Sequence, residues 1–162
     1  MTRRKRAALI TTLIAGLAAA ASIGVAAPRG FGWRGSSGWA PQGAYGRMFD
    51  PKAVVTLTGT ITSLAEITPM RGMGAGIHLM LKTGAETVDV HLGPRWYLES
   101  QDADLQPGDV VTVRGSRIEI DKQPVIIAVE VKRGDNVLVL RDDDGTPRWA
   151  GWRRGGPPAP PR

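Results

Sequence analysis

Short apolar runs separated by turn-forming residues fill the chain from Ala53 to Leu140, and this pattern limits the possible folds more than any other feature. The runs are rich in Val, Ile and Thr, and apolar residues alternate with polar ones, as in strands with one buried face. The turns "LQPGD", "DKQP" and "RGDN" separate the later runs. Because no run has a long helical period, the sequence predicts an all-β domain.

Six strands are predicted from these runs, at residues 53–67, 77–82, 87–92, 110–120, 125–131 and 137–140. The first run is long enough for a strongly bent strand with a bend or bulge at Gly59. Gly93 and Pro94 interrupt the pattern and predict a short helix between the third and fourth strands. This order predicts a small OB-like Greek-key barrel of five to six strands, and a small open β-sandwich is the alternative.

The sequence divides into four predicted parts. Residues 1–27 contain four basic residues at 3–6 and then an uncharged run, so they are predicted to be a signal peptide or an N-terminal membrane anchor. Residues 28–48 are rich in Gly, Ser and Pro and are predicted to form a flexible linker. Residues 49–152 are the predicted OB-like β-barrel domain, and residues 153–162 a disordered Pro-rich basic tail. Such a leader predicts a periplasmic or secreted protein, anchored to the inner membrane if the leader is not cleaved.

The net charge of +6 comes from the ends of the chain and not from the predicted domain. Between Asp50 and Trp149 there are 11 Lys and Arg residues against 15 Asp and Glu residues, a net charge of −4. A surface that follows nucleic-acid phosphates needs its positive charge on the folded domain. We therefore expect no nucleic-acid partner, and a nucleic-acid-binding OB-fold protein that uses its basic tails is the alternative function.

Several chemistries are excluded or lack a motif. The chain has no cysteine, which excludes thiolate metal sites, thiol catalysis and covalent haem attachment. No motif pairs a serine with a histidine, and no Gly-rich phosphate loop precedes a helix. The sequence therefore predicts a protein that is not an enzyme.

The stretch "IHLMLKTGAETVDVHL", residues 77–92, contains both histidines of the chain, His78 and His91. Side chains alternate along a strand, and a loop at residues 83–86 would pair positions whose numbers sum to 169. That register pairs the first residue of the stretch with its last and puts its apolar residues on one face. On the other face it sets His78 directly opposite His91.

The same face carries further candidate ligands. Met80 lies opposite Asp89 in the predicted register, and Met70 and Met73 lie in the preceding loop "PMRGMGAG". Cross-strand Cβ atoms are about 5 Å apart, close enough for two imidazoles to share one ion. A His/Met set would suit copper, whereas a His/Asp set would suit zinc or iron. The alternative, which we favour on sequence alone, is two solvated polar rungs of a hairpin with Met73 packed at the mouth of the barrel.

The run "HLGPRWYLE" offers a cation and two rings together, from Arg95, Trp96 and Tyr97. One interpretation is a contact surface for a ligand or partner. The other is that the rings cap the open end of the barrel, because a small barrel needs large residues to fill it and the strands supply no aromatic side chain. We favour the structural interpretation.

Five runs resemble a known family: "MFDPKAVVTLTGTI", "TPMRGMGAGIHLMLKT", "VDVHLGPRWYLE", "PGDVVTVRGS" and "RDDDGTPRWAGW". They are similar to small exported bacterial proteins with an OB-like fold, and most of all to the MamS/MamX-type domain of magnetosome proteins. The resemblance spans about Phe49 to Trp152 and depends mainly on "GIHL" and "HLGPRWYL".

The resemblance implies an envelope accessory protein with a membrane or envelope partner. In magnetosomes such proteins are tied to the membrane and to iron redox or crystal maturation, and the domain also occurs in bacteria without magnetosomes. Some relatives carry haem-attachment motifs, which this chain lacks, so covalent haem is not implied. A wider likeness to periplasmic OB-fold proteins implies binding of cations or small ligands. The cofactor is left open by the sequence, with a copper, iron or zinc ion as the candidates that the His, Met and Asp side chains suit.

Overall fold

The computed structural model describes residues 37–150 of the chain. The leader predicted at 1–27, the first part of the predicted linker up to residue 36, and the tail predicted at 153–162 lie outside the described residues. Within the part that is described, no helix is long and apolar enough to cross a membrane.

Six strands and one short helix form the described region, which confirms the all-β prediction. Their bounds are β1 Val54–Ile67, β2 Gly76–Lys82, β3 Thr87–Pro94, α1 Arg95–Leu98, β4 Val110–Ile120, β5 Gln123–Arg133 and β6 Asn136–Val139. Three short 3-10 turns complete the set, at Gly46–Met48, Pro51–Ala53 and Arg148–Ala150. The helix follows Pro94, whose fixed φ and missing N–H suit the start of a helix.

The six strands belong to one sheet with the order β3-β2-β1-β4-β5-β6, in which neighbours are antiparallel. One further pairing joins β3 to β5 in parallel, with Asp89 opposite Val125 and His91 opposite Ile127. This pairing brings the C-terminal half of the hairpin against a strand that is distant in sequence.

The long first strand serves two neighbours. Val54–Thr60 pairs with β4 and Thr60–Ile67 pairs with β2, so β1 changes partner near its middle. The sequence predicted the bend or bulge at Gly59. The register shift lies instead between Ile61 and Ser63, just after the strand has changed partner.

Burial shows that β3 and β5 are covered on both faces. The residues of β5 from 125 to 129 are all buried, as are those of β3 from 90 to 94. Because successive side chains point to opposite faces of a strand, an unbroken buried run needs packing on both sides. One face contributes Leu79, Leu81 and Val90 to the core, each fully buried. The other face must be covered by residues outside the strands.

The other face is covered by what we call the second layer. Residues 37–48, which we call the covering segment, supply part of it. Trp39 and Tyr45 are each 2% exposed and belong to the same apolar cluster as the strands. Trp39 donates from its indole nitrogen to the carbonyl of Gly74 at 3.0 Å. The prediction of a flexible linker over residues 28–48 is therefore wrong for residues 37–48, because two large rings in this Gly-rich stretch gain more by burial than the composition suggests.

Two glycines make this packing possible. The ring of Trp39 lies on Gly76 of β2, and a Cβ at that position would collide with it. The ring of Trp149 lies on Gly93 of β3, where a Cβ would come within 2.7 Å of Cζ3. The rings therefore approach the hairpin backbone more closely than any side chain there would allow.

Replacing Gly76 with alanine is expected to lower the free energy of unfolding by about 1–3 kcal/mol, the usual cost of overpacking. The measurement is urea denaturation at equilibrium. Gly84→Ala is the matched control, because a Cβ at Gly84 meets no atom within 4 Å. Equal stability of the two variants would contradict the packing of Trp39 on the hairpin.

Candidate metal centre

The β2–β3 hairpin has the register that the sequence predicts over most of its length. His78 pairs with His91, Met80 with Asp89, and the pairs up to Lys82 and Thr87 also sum to 169. The backbone N–H of Thr83 donates to the carbonyl of Glu86 at 2.8 Å, which closes the loop at 83–86. This part of the prediction is confirmed.

The register changes at the open end of the hairpin. Ile77 pairs with Gly93 and not with Leu92 as predicted, so Leu92 is an extra residue on β3. Two residues of one strand then oppose one residue of the other, which is a β-bulge. The bulge lies immediately beside the two histidines, next to the point where the rings of Trp39 and Trp149 cover the glycines.

Asp89 lies between the two imidazoles. Its Oδ1 is 2.7 Å from Nδ1 of His78, and its Oδ2 is 3.5 Å from Nε2 of His91. The ring centroids of the histidines are 6.2 Å apart. One ligand atom from each residue lies within 4.8 Å of the other two. We call these three residues the His–Asp–His trio.

The environment of His91 is unusual for a residue that the sequence places on the outer face of a hairpin. Its side chain is 2% exposed, and its Nδ1 is hydrogen bonded to the hydroxyl of Tyr45 at 2.9 Å. Its Nε2 is buried and has no hydrogen-bond partner among residues 37–150. The 3.5 Å separation from Asp89 is the distance of an ion pair and too long for a good hydrogen bond. A buried nitrogen of this kind needs an explanation, and a bound ion is one.

Two pKa shifts describe the electrostatics. Burial alone would raise the pKa of Asp89, but the close contacts of its carboxylate with the imidazoles of His91 and His78 outweigh it, and the pKa lies below its ordinary value. Asp89 is therefore an anion at neutral pH. Burial raises the pKa of the Tyr45 hydroxyl well above its ordinary value, so this hydroxyl stays neutral.

The donor set suits a transition-metal ion. Two imidazoles and one carboxylate are the protein ligands of many zinc sites and of non-haem iron(II) sites. In a tetrahedral site with bonds of about 2.0–2.1 Å, ligand atoms are about 3.3 Å apart. The ligand atoms of the trio lie up to 4.8 Å from one another, so the side chains of His78 and Asp89, which are 19% and 24% exposed, would have to rotate to close the site around an ion.

The two predicted methionine ligands have different positions. Met80 lies beside the trio, opposite Asp89 in the register, and is half-buried. Met73 packs against the apolar cluster and contacts the covering segment at Gly38, where an added Cβ would lie 3.2 Å from its Cα. Met73 is therefore a packing residue, as in the alternative interpretation of two solvated histidines.

The three residues of the "PRWYLE" run are separated by burial. Tyr97 is 1% exposed and its ring lies 5.3 Å from that of Trp149, so it belongs to the core. Trp96 is half-buried and meets Tyr97 edge to face at 6.1 Å. Arg95 is half-exposed and pairs with two glutamates at 2.6 and 2.9 Å. Tyr97 is thus a core residue, whereas Arg95 lies on the surface.

Two residues near the trio were missed in the sequence. Tyr45 lies in the predicted linker, and the only sequence signal for it is that aromatic residues recur along that segment. Arg141 lies within "RDDDG", whose three acidic residues and glycine are typical of an exposed turn. It is 4% exposed, donates to the carbonyl of Leu92 at 3.0 Å, and lies 4.7 Å from the ring of Trp149. Burial lowers its pKa to about 10, so it still carries a positive charge at neutral pH.

A family model matches residues 53–138, which is more than half of the chain. The chain belongs to the MamS/MamX magnetosome protein family. This confirms the resemblance and associates the chain with magnetosome proteins. A search of curated proteins found no match. The region matched to the MamS/MamX family contains the His–Asp–His trio, whereas Tyr45, Arg141 and Trp149 lie outside it.

Proposed function

We propose that this MamS/MamX family member is a non-enzymatic, exported accessory protein that binds a divalent metal ion through His78, Asp89 and His91. One observation carries the proposal. Three side chains of the right chemical types converge within 4.8 Å, and the most buried of them presents a ring nitrogen without a hydrogen-bond partner in the described region. Two solvated rungs would not leave that nitrogen buried.

The ligand types favour zinc or iron(II) over copper. Asp89 supplies a hard oxygen, and the two histidines supply borderline nitrogens. Membership of a magnetosome family makes iron the ion of greatest interest, and the absence of cysteine excludes its attachment as covalent haem. The role proposed for the chain is therefore to hold or deliver an ion and not to turn over a substrate.

The proposed fold is a small OB-like Greek-key barrel. The parallel pairing of β3 with β5 supports it, because it links β1, β2, β3, β5 and β4 into a continuous circle of paired strands. The position of α1 in the chain, between β3 and β4, also supports it. His78 and Asp89 are 19% and 24% exposed, which leaves an approach from solvent to the trio beside the buried His91.

The proposed place of action is the cell envelope, with a membrane or envelope protein as the partner. The basic and then uncharged leader supports export, and the family supports an association with membranes. No nucleic-acid partner is proposed, because residues 50–149 carry a net charge of −4.

The test is a calorimetric titration of metal-free protein, purified after export, with Zn²⁺, Fe²⁺ and Cu²⁺. The wild-type protein should bind one ion per chain, and the double variant His78→Ala/His91→Ala should lose this binding because two of the three ligands are gone. Asp89→Asn should weaken binding strongly, whereas Asp135→Asn, in an exposed turn, is the matched control and should not. If the wild type binds no ion more tightly than the double variant does, the proposal is wrong.

A further inference from the structure

The hydrogen bond between Tyr45 and His91 connects the trio to the covering segment. Tyr45 Oη and His91 Nδ1 are 2.9 Å apart, and both side chains are 2% exposed. The two rings are nearly parallel, with centroids 5.8 Å apart. A tyrosine hydroxyl can donate or accept a hydrogen bond. The donor of this bond can therefore be either the hydroxyl of Tyr45 or a protonated Nδ1 of His91.

A metal ion on His91 would allow only one direction of this hydrogen bond. If Nε2 of His91 is the ligand atom, it cannot carry a proton, and the single proton of the neutral ring must be on Nδ1. That N–H then needs an acceptor, which metal-bound histidines almost always have. The only acceptor that the described contacts give it is Oη of Tyr45. Without it, a buried N–H would be left unsatisfied, which costs free energy.

Tyr45 reaches His91 only because the covering segment is docked. The segment is fastened at Trp39, whose indole contacts Gly76 and whose carbonyl accepts from the indole of Trp149 at 3.0 Å. The N–H of Gly74 also donates to the carbonyl of Ser37 at 2.7 Å. None of these contacts involves a ligand atom of the trio. Undocking of the segment would therefore leave the trio intact but remove the acceptor for Nδ1–H.

We propose that Tyr45 is a positioning residue for the metal site, so that metal binding and docking of the covering segment strengthen each other. This inference rests on the proposed function. Docking supplies the acceptor that the tautomer with its proton on Nδ1 needs, and an ion on Nε2 would in turn require that tautomer and therefore this acceptor. By thermodynamic linkage, the factor by which docking tightens metal binding equals the factor by which metal binding favours docking.

The first test compares two tyrosine variants of the exported protein. Tyr45→Phe should weaken Zn²⁺ binding about 10- to 100-fold, the usual effect of losing a hydrogen-bond partner of a ligating histidine. Tyr97→Phe is the matched control, because it removes a hydroxyl from another tyrosine in the same core and should leave the affinity unchanged. With Co²⁺ as the probe, the visible absorption spectrum of Tyr45→Phe should differ from that of the wild type, and that of Tyr97→Phe should not.

The outcomes separate the two proposals. If the wild type binds no Zn²⁺, the proposed function fails. If the wild type binds Zn²⁺ and the two tyrosine variants bind it equally well with the same Co²⁺ spectrum, the proposed function stands and the role of Tyr45 is overturned.

The second test measures the linkage from the other side by hydrogen exchange. The amides of Arg47, Met48 and Phe49 are hydrogen bonded within and just after the covering segment. Saturating Zn²⁺ should slow their exchange in the wild type by about the factor that Tyr45→Phe loses in affinity, and should not slow it in that variant. Exchange that is unchanged by Zn²⁺ in the wild type would overturn the coupling.

Discussion

Trp149→Ala is expected to lower the free energy of unfolding by about 3–5 kcal/mol, the range for deleting a buried indole. The side chain is 3% exposed and contacts the backbone at Gly93 and the ring of Tyr97. It also donates to the carbonyl of Trp39 and lies under the guanidinium of Arg141. Alanine would leave a cavity at the point where the covering segment, β3 and Arg141 meet.

Urea denaturation measures this change, and Trp149→Phe separates its two causes. Phenylalanine keeps most of the apolar area but leaves the carbonyl of Trp39 without its donor, which costs about 1–3 kcal/mol. Val110→Ala is the control for surface truncation, since Val110 is 63% exposed and should change stability by less than about 0.5 kcal/mol. A loss of stability for Trp149→Ala as small as that of the surface control would mean that the second layer does not pack as described.

Zinc is expected to stabilise the wild-type protein by about 2.7 kcal/mol at a free concentration one hundred times its dissociation constant. This follows from mass action, because the trio exists only in the folded chain: its residues come from two strands, and an ion bound there must dissociate before the hairpin opens. The double variant His78→Ala/His91→Ala should show no such gain. The measurement is denaturant unfolding with and without the ion, at fixed pH.

The stabilisation must be reversible and specific to the trio. A chelator should return the wild type to its metal-free stability. Asp135→Asn should be stabilised as much as the wild type, because that residue lies in the turn between β5 and β6. If the double histidine variant gains as much stability as the wild type, the ion is bound elsewhere and the trio is not the site.

Tyr45 lies outside the region that matches the family model. The trio lies within residues 53–138, but the acceptor that positions His91 comes from the covering segment. Residues 53–138 of this chain therefore contain the proposed ligands but not this hydrogen-bond partner. We therefore expect the affinity of the site to depend on residues that precede the family domain.

The histidine pair could be predicted from the sequence because local rules decide it. Alternation fixes which residues share a face, and the loop at Thr83–Glu86 fixes which residues are opposite. Asp89 follows by the same counting. The pairing of Ile77 was wrong because the bulge at Leu92 lies where the packing of the outer rings, and not the loop, decides the register.

The burial of His91 could not be predicted in the same way. Alternation places it on the outer face of a hairpin, which in isolation faces water. Tyr45 covers it from a segment more than forty residues away, and the composition of that segment suggests a linker. The burial of Arg141 could not be predicted for a related reason. Three acidic residues follow it in the sequence, as in an exposed turn, but its guanidinium packs against the ring of Trp149.

By itself, the sequence determined the six strands, the hairpin register from His78 to Lys82 and the family resemblance, because each depends on runs of residues that are close together in the chain. Only the tertiary structure decided that two tryptophans and a tyrosine from beyond the family domain cover the outer face of β2 and β3. That outcome depends on the absence of a Cβ at Gly76 and Gly93, which lets the rings reach the backbone. The same packing excludes water from His91 and turns two rungs of a hairpin into a candidate metal site.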